Sequence, residues 1–334
     1  MSDAILPIPD IPDGLREASQ RGVLIPFIGA GVSRLAGCPT WAELADGALK
    51  ECIAANKLTY GQLAQINHLS PRVKLSIARG LEAQHSLRID YGTLINPPGG
   101  YEKHEVGNRV YRSLGKLGTT FVTTNYDSWL DTEIREVRTP VTTPAAEQDT
   151  IAVASTKRKS IYEVAEFTPA NLNQANTVFH LHGSLADPTS MVMTTRDYIT
   201  HYANDRAGND PKSENRTLTF LSHLFQEKTV IFIGYGLEDL EILEYVIQKG
   251  RKTAQGQQNQ AKHYMLQGYF SHELELMRSL SRYYMQTDIQ LIPFSLDHKE
   301  WPQLVEVIEK FAELMPATGL LNLQKQKEME AMLD

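Results

Sequence analysis

The apolar runs of this chain are short, and each is followed by a small or polar cluster. Val23 to Ile28, Thr120 to Thr124, Thr177 to Leu181, Thr229 to Ile233 and Ile289 to Phe294 have the nearly continuous hydrophobic character of strands buried on both faces. Between them lie amphipathic stretches of helical length, namely Trp41 to Ala55, Val106 to Leu117, Glu238 to Lys249, His272 to Met285 and Trp301 to Leu314. Strands alternating with helices predict an α/β fold, a Rossmann-like parallel sheet with helices on both faces and a smaller helical insertion module. The expected organisation is a single domain over residues 1–334, with its core in about 20–40, 117–195 and 227–316. Helical insertions are expected at about 41–116 and 196–226, a mobile Gln-rich loop at Arg251 to Lys262, and a C-terminal tail at 317–334.

Composition narrows the function. With 42% hydrophobic and 22% charged residues in 334, the chain can bury a sizeable core. Lys and Arg total 33 against 40 Asp and Glu, a net charge of -7, which excludes a globally basic nucleic-acid or membrane-surface binder. The basic cluster Lys157-Arg158-Lys159 is expected to be a solvated loop without a role. Two cysteines, Cys38 and Cys52, are too few for a four-thiolate zinc module or a disulfide scaffold, so reduced thiols and an intracellular setting are expected. No apolar run approaches the roughly 20 residues of a membrane span, and the start Met1-Ser2-Asp3-Ala4 lacks a secretory pattern. The expectation is a soluble cytoplasmic protein with no membrane contact.

The strand ends carry the chemistry. They read Gly29-Ala30-Gly31-Val32-Ser33, Asn125-Tyr126-Asp127, His182-Gly183-Ser184, Gly234-Tyr235-Gly236 and Ser295-Leu296-Asp297-His298. In an open parallel sheet ligands bind beyond the carboxyl ends of the strands, so these clusters are expected to converge on one crevice. Gly29 and Gly31 can take positive φ and admit a phosphate, with Ser33 capping the next helix; a tight turn without a ligand is the other reading. Arg34 stands where the dinucleotide fingerprint has its third glycine, which disfavours an ordinary dehydrogenase. Asn125 to Asp127 can cap a helix or contact a ligand, and Gly234 to Gly236 can admit a ribose whose hydroxyls Asp239 accepts, or simply precede an acidic first turn. Strand alternation points His180 and His182 to one face, one of them serving structure. An imidazole can accept a hydroxyl proton, and an amide can hold water or a sugar hydroxyl without titrating, which together suggest chemistry on a sugar. Metal binding by the two histidines lacks a third ligand, so no metal is expected.

The ordered set Gly29-Ala30-Gly31-Val32-Ser33, Thr124-Asn125-Tyr126-Asp127, His182-Gly183 and Gly234-Tyr235-Gly236 resembles the sirtuin family over about residues 20–300. The resemblance implies a sirtuin-type Rossmann-like domain and NAD+ consumed as a substrate. It implies that Gly29, Ala30, Gly31 and Ser33 line the pyrophosphate and that Asn125 positions a water or the ribose. It places Asp127 near the nicotinamide, makes His182 the catalytic base, and brings Gly234 and Gly236 to the adenosine half. The chain departs from protein-deacylating sirtuins: Pro39-Thr40-Trp41 stands in place of their Pro-Asp-Phe-Arg element, and the four zinc cysteines are missing.

With Gly37-Cys38-Pro39-Thr40-Trp41, Thr124 to Asp127, His182 to Ser184 and Gly234-Tyr235 through Asp239, it is similar to the sirtuin-like domains of bacterial antiphage systems. That branch implies NAD+ hydrolysis, with Asn125, His182 and Asp127 catalytic. Nucleotide contacts then extend to Val32, Pro39, Trp41, Thr124, Tyr235 and Asp239. It also implies control by homo-oligomerisation or by a separate regulatory or sensor protein, for example an ATPase, a nucleotide-processing enzyme or a short Argonaute-type partner, without direct nucleic-acid contact. The helical insertions and the tail from Ala317 to Asp334, with Leu320, Leu321, Leu323, Met329, Met332 and Leu333, are candidate contact surfaces, or the tail simply packs onto the parent domain. A non-catalytic NAD or ADP-ribose sensor and an NAD-dependent deacylase are the alternative readings.

Overall fold

The computed structural model describes residues 4–139, 150–203, 215–236 and 262–317. The helix expected at Glu238 to Lys249, Asp239 itself, nearly all of the Gln-rich loop and the tail from 318 onward lie outside the described residues. Helix α1 (Asp13–Gln20) leads into strand β1 (Leu24–Ile28) and the short α2 (Ala30–Leu35). A helical segment follows: α3 (Trp41–Ala54), α4 (Tyr60–Gln65), α5 (Pro71–His85) and α6 (Tyr91–Ile95). Then come α7 (Glu105–Leu117), β2 (Thr120–Thr123), an antiparallel pair β3 (Thr132–Thr139) and β4 (Thr150–Lys157), and β5 (Lys159–Ile161). The chain continues through α8 (Pro169–Leu172), β6 (Thr177–His180), α9 (Thr195–Tyr202), α10 (Arg216–Glu227) and β7 (Thr229–Ile233). It closes with β8 (His263–Tyr269), α11 (Leu274–Met285), β9 (Ile289–Ser295) and α12 (Gln303–Leu314).

Seven strands form one parallel sheet in the order β5-β6-β2-β1-β7-β8-β9. From β6 to β9 this is the doubly wound order in which the winding reverses beside β1, and a crevice opens between the ends of β1 and β7. Burial explains the unbroken apolar runs. Leu24 and Ile28 of β1 pack with α1, α7 and α12 on one side, while Ile25 and Phe27 pack with α8, α10 and α11 on the other. Phe27 is paired in register with Val122 and Phe232, and its ring lies 5.1 Å from those of Phe232 and Tyr235. The segment α3 to α6 has its own core of Leu44, Leu49, Leu75 and Ile95, into which Tyr126, Met191 and Met193 insert. Helix α7, by contrast, packs on the sheet through Val110, Tyr111 and Leu114.

Several elements depart from the sequence reading. Strand β8 escaped it because Gln267 and Gly268 interrupt the apolar run, and β5 because it is a three-residue edge strand. The β3–β4 pair was not foreseen either. Arg158 is not a solvated loop residue: it is buried, donates to the Leu130 carbonyl at 2.8 Å and lies over the Phe121 ring. Its chain position between β4 and β5 turns it inward, where the Leu130 and Thr132 carbonyls and the Phe121 ring face its charged head. Among the described residues, no helix is long and apolar enough to cross a membrane.

Candidate functional site

The glycine turn is shaped by the neighbouring strand end. Gly29 donates its N–H to the Ile233 carbonyl at 2.9 Å and Gly31 donates to Gly234 O at 2.8 Å. A Cβ on Gly29 would stand 2.5 Å from Gly234 O and one on Gly31 2.8 Å from the same atom. Neither glycine takes positive φ; Gly234 does, at +63°. The positive-φ expectation is therefore corrected: Gly29 and Gly31 lack side chains because the Gly234 backbone occupies that space. Gly29→Ala is expected to destabilise the fold by about 1–3 kcal/mol through overpacking, read as a shift in the chemical-denaturation midpoint; an unchanged midpoint would contradict this packing.

Ser33 does not cap a helix. The N-cap of α2 is Gly29, and Ser33 is the hub of a buried network reaching from the turn to the end of β2. Its hydroxyl donates to Asp127 Oδ2 at 2.6 Å and accepts from Asn125 Nδ2 at 2.7 Å, while the Tyr111 hydroxyl lies 3.1 Å away. The second Nδ2 proton of Asn125 goes to the Gly29 carbonyl at 3.1 Å. Because a carbonyl only accepts, the orientation of the amide is settled, and Asn125 Oδ1 is left without a partner among the described residues. Asp127 Oδ1 accepts the Trp129 N–H at 3.1 Å, so Asp127 both caps a local turn and anchors Ser33. Burial raises its carboxyl above the ordinary range, against the opposing pull of Ser33, Trp129 and His180.

The two histidines part ways. His180 Nδ1 donates to the Asn125 carbonyl at 2.9 Å and Nε2 lies 2.9 Å from Asp131 Oδ1. Burial would lower its pKa, but the Asp131 carboxylate and the Asn125 carbonyl outweigh burial and hold it above the usual imidazole range. The same pair, against burial, keeps Asp131 below the ordinary carboxylate range. His180 is thus the structural histidine. His182 lies beyond the last ladder residue, where Gly183 turns at φ +82°, and its ring meets Tyr198 and Tyr202 of α9 instead. Its Nε2 is 2.7 Å from the Tyr202 hydroxyl and its Nδ1 3.3 Å from that of Tyr198. Burial, followed by the charge of Arg72, pushes it down to about 3, so it is neutral at physiological pH.

A cleft of about 680 Å³ lies across the carboxyl ends of β1, β2, β7 and β8. It brings together Ala30, Gly31, Ser33, Pro39, Trp41, Thr124, Asn125, Asp127, His182, Gly234, Tyr235 and Gly236. Gly29 and Val32 do not line it; Val32 is fully buried in the sheet core. The Ser295–His298 cluster also stays out, because β9 is the sheet edge and Asp297 is occupied by Ser271 and Ser295. In its place the unforeseen β8 supplies Leu266 and Gln267, with Trp301 beside the same cleft. The Gly37 to Trp41 motif has a local cause: Gly37 turns at φ +83° where a Cβ would meet His104, and Thr40 caps α3 in a capping box with Glu43. Trp41 then stacks on Tyr126 with ring centroids 5.7 Å apart. Sequence reading missed Arg72, Tyr198 and Tyr202; the Tyr198/Tyr202 pair at helical spacing was a visible aromatic stripe, but only the fold aims it at His182. Cys38 also lines the cleft, yet burial and then the Asp127 charge push its thiol far up, which disqualifies it as a nucleophile.

The SIR2-like domain matches residues 119–289, just over half of the chain, and this stretch contains Asn125, His182 and Gly234. The chain belongs to the SIR2-like family. Over 235 residues, 68% of this chain, it is also 25% identical to "Defense-associated sirtuin 2" of Bacillus subtilis. The aligned region is 19% of that relative, so the chain spans about a fifth of its length. The first glycine turn lies outside the matched SIR2-like stretch, and its place in the site rests on the backbone contacts to Gly234.

Proposed function

We propose that this SIR2-like chain is an NAD+ glycohydrolase that cleaves NAD+ to nicotinamide and ADP-ribose, and that it acts in the cytoplasm as the NAD-depleting effector of a bacterial antiphage, abortive-infection defence system. The observation that carries the reading is the Asn125 amide, whose donors are both held by protein and whose Oδ1 is open, in one cleft with a neutral His182. The dimensions are suitable: about 680 Å³ lies within the range of small-molecule sites, and the cleft crosses the reversal point of a dinucleotide-type sheet.

In this reading the pyrophosphate lies along Ala30, Gly31 and Ser33, the adenosine half along Gly234, Tyr235 and Gly236, and the nicotinamide riboside toward Asn125 and His182. The C1′–N bond breaks with oxocarbenium character, and the electron pair leaves with nicotinamide, which departs neutral and needs no general acid. Asn125 Oδ1 accepts one hydrogen of the attacking water; the water oxygen bonds C1′ as its other proton passes to His182 and then to solvent. Asp127 works through Ser33 as a positioning residue. A defence role follows the printed name of the Bacillus relative. Control is assigned to self-association or to a separate regulatory protein.

A second reading has one observation in its favour. Both ring nitrogens of His182 face tyrosine hydroxyls, as suits a module that binds NAD or ADP-ribose without turnover. Incubating the purified chain with NAD+, alone and with proteins encoded beside it, and following nicotinamide and ADP-ribose by chromatography decides between them. Equimolar release is expected. Bound but intact NAD+ in every mixture would establish the sensor, and release only with an acyl-lysine peptide would establish a deacylase.

A further inference from the structure

Among the described residues that line the cleft, Arg72 is the one lysine or arginine. It reaches the cleft from the first turn of α5, hence from the helical segment and not from the sheet. Its guanidinium carbon stands 3.6 Å from the centroid of the Tyr198 ring, and the Tyr198 hydroxyl is the one facing His182 Nδ1. The segment bearing Tyr198 is fastened to α5 at two further points. Ser76 Oγ accepts the Thr195 N–H at 3.1 Å, and Arg79 donates to the Pro188 carbonyl at 3.0 Å. Cation, ring and imidazole are therefore held as one unit.

A guanidinium laid on an aromatic face presents its N–H fork in plane, the geometry that matches phosphate oxygens. We propose that Arg72 is the pyrophosphate anchor of the cleft and that Tyr198, held beneath it, transmits this contact to His182. The identity of the ligand as a dinucleotide rests on the proposed function; its charge does not. The groups that face His182 are Arg72 from α5 and Tyr198, His201 and Tyr202 from α9. Of these Arg72 alone is charged, because burial holds His201 down to about 4. After burial, the Arg72 charge is the influence that suppresses proton uptake by His182. A pyrophosphate paired with Arg72 offsets that charge, so His182 becomes a better proton acceptor only once substrate is seated.

The test is calorimetric titration of ADP-ribose, inorganic pyrophosphate and phosphate-free nicotinamide riboside into the wild-type chain, Arg72→Gln and Arg72→Lys, each first checked for an unchanged circular dichroism spectrum. Arg72→Gln is expected to weaken ADP-ribose and pyrophosphate by about tenfold or more and to leave nicotinamide riboside unchanged. Arg72→Lys, keeping the charge but not the fork, should recover part of the loss. At pH 7, where the fold is stable, the NMR signals of the His182 ring should shift on ADP-ribose binding in wild type and much less in Arg72→Gln at equal saturation. Equal ADP-ribose affinity and an equal His182 shift in wild type and Arg72→Gln would overturn the anchor and leave the dinucleotide reading intact. Arg72-dependent binding of pyrophosphate without binding of ADP-ribose would support the anchor and overturn the dinucleotide reading. If the wild type binds neither, both fall.

Discussion

Replacing Asn125 by alanine is expected to lower nicotinamide release by about 10²-fold or more while changing the affinity for NAD+ only a few-fold. The amide is not a freely rotating side chain. Gly29 O and Ser33 Oγ take its two protons, so Oδ1 is aimed before any ligand arrives, and in the proposed reaction the attacking water would need no reorganisation of the site. Removing the amide forfeits that orientation in the transition state. It also takes one of two donors from the Gly29 carbonyl, which keeps the Val32 N–H, at a stability cost of about 1 kcal/mol, so the denaturation midpoint is measured alongside turnover. His182→Ala should reduce turnover comparably. If the two side chains serve one step, the double variant will be little worse than the poorer single variant. Turnover within threefold of wild type for folded Asn125→Ala would dispose of the proposed role.

The stability of the fold should fall steeply as pH drops below about 6.5. His182, His201 and His263 are pushed down from 6.5 to about 3, about 4 and about 3, in each case mainly by burial, with Arg72, His182 and Lys262 respectively as the next cause. Their folded pKa values are depressed, so the stability they contribute is fully present above 6.5, where both states are neutral. It is lost as pH falls toward the folded values, because the unfolded chain takes up protons that the native fold refuses. Near pH 5.5 the three together remove roughly 4 kcal/mol, a large part of a typical 5–15 kcal/mol. His180 has the opposite sign. Its raised pKa adds stability that is complete below 6.5 and disappears as pH rises through its folded value, so it partly offsets the loss between pH 7.5 and 6.5 and has little more to add on further acidification. Thermal unfolding at pH 7.5 and 5.5 should differ by up to about 6 °C for a chain of 334 residues. His263→Gln, which removes one of the three titrations, should shallow the dependence; a flat profile from pH 7.5 to 5.5 would refute the buried neutral state of these rings.

Much of the architecture was readable before any coordinates. Strands buried on both faces must be apolar at every position, and Leu24 to Ile28 and Thr229 to Ile233 advertise themselves for that reason. Strand β8 does not, since Gln267 and Gly268 stand where it meets the cleft and depart from the core pattern. The misreading of the fifth cluster follows from this. Without β8, β9 appeared to be the next strand beside the crevice, whereas the true sheet places it at the edge.

Residue type and order along the chain sufficed for a parallel α/β sheet, for SIR2-like motifs at strand ends, and for expecting Asn125 and His182 to face one cleft. These are local properties: turn chemistry, periodicity of burial, and short runs of small or polar residues. What each motif does was decided by tertiary structure. Ser33 meets Asn125 and Asp127, which lie 92 and 94 positions further along the chain, and Gly29 and Gly31 are glycines because of a backbone atom at residue 234. Two histidines two residues apart share almost the same local sequence, yet one is held between a carboxylate and a carbonyl that raise its pKa while the other is kept neutral among tyrosines. Charge state depends on burial and on partners from distant segments, and only the folded packing of sheet against helical segment supplies those.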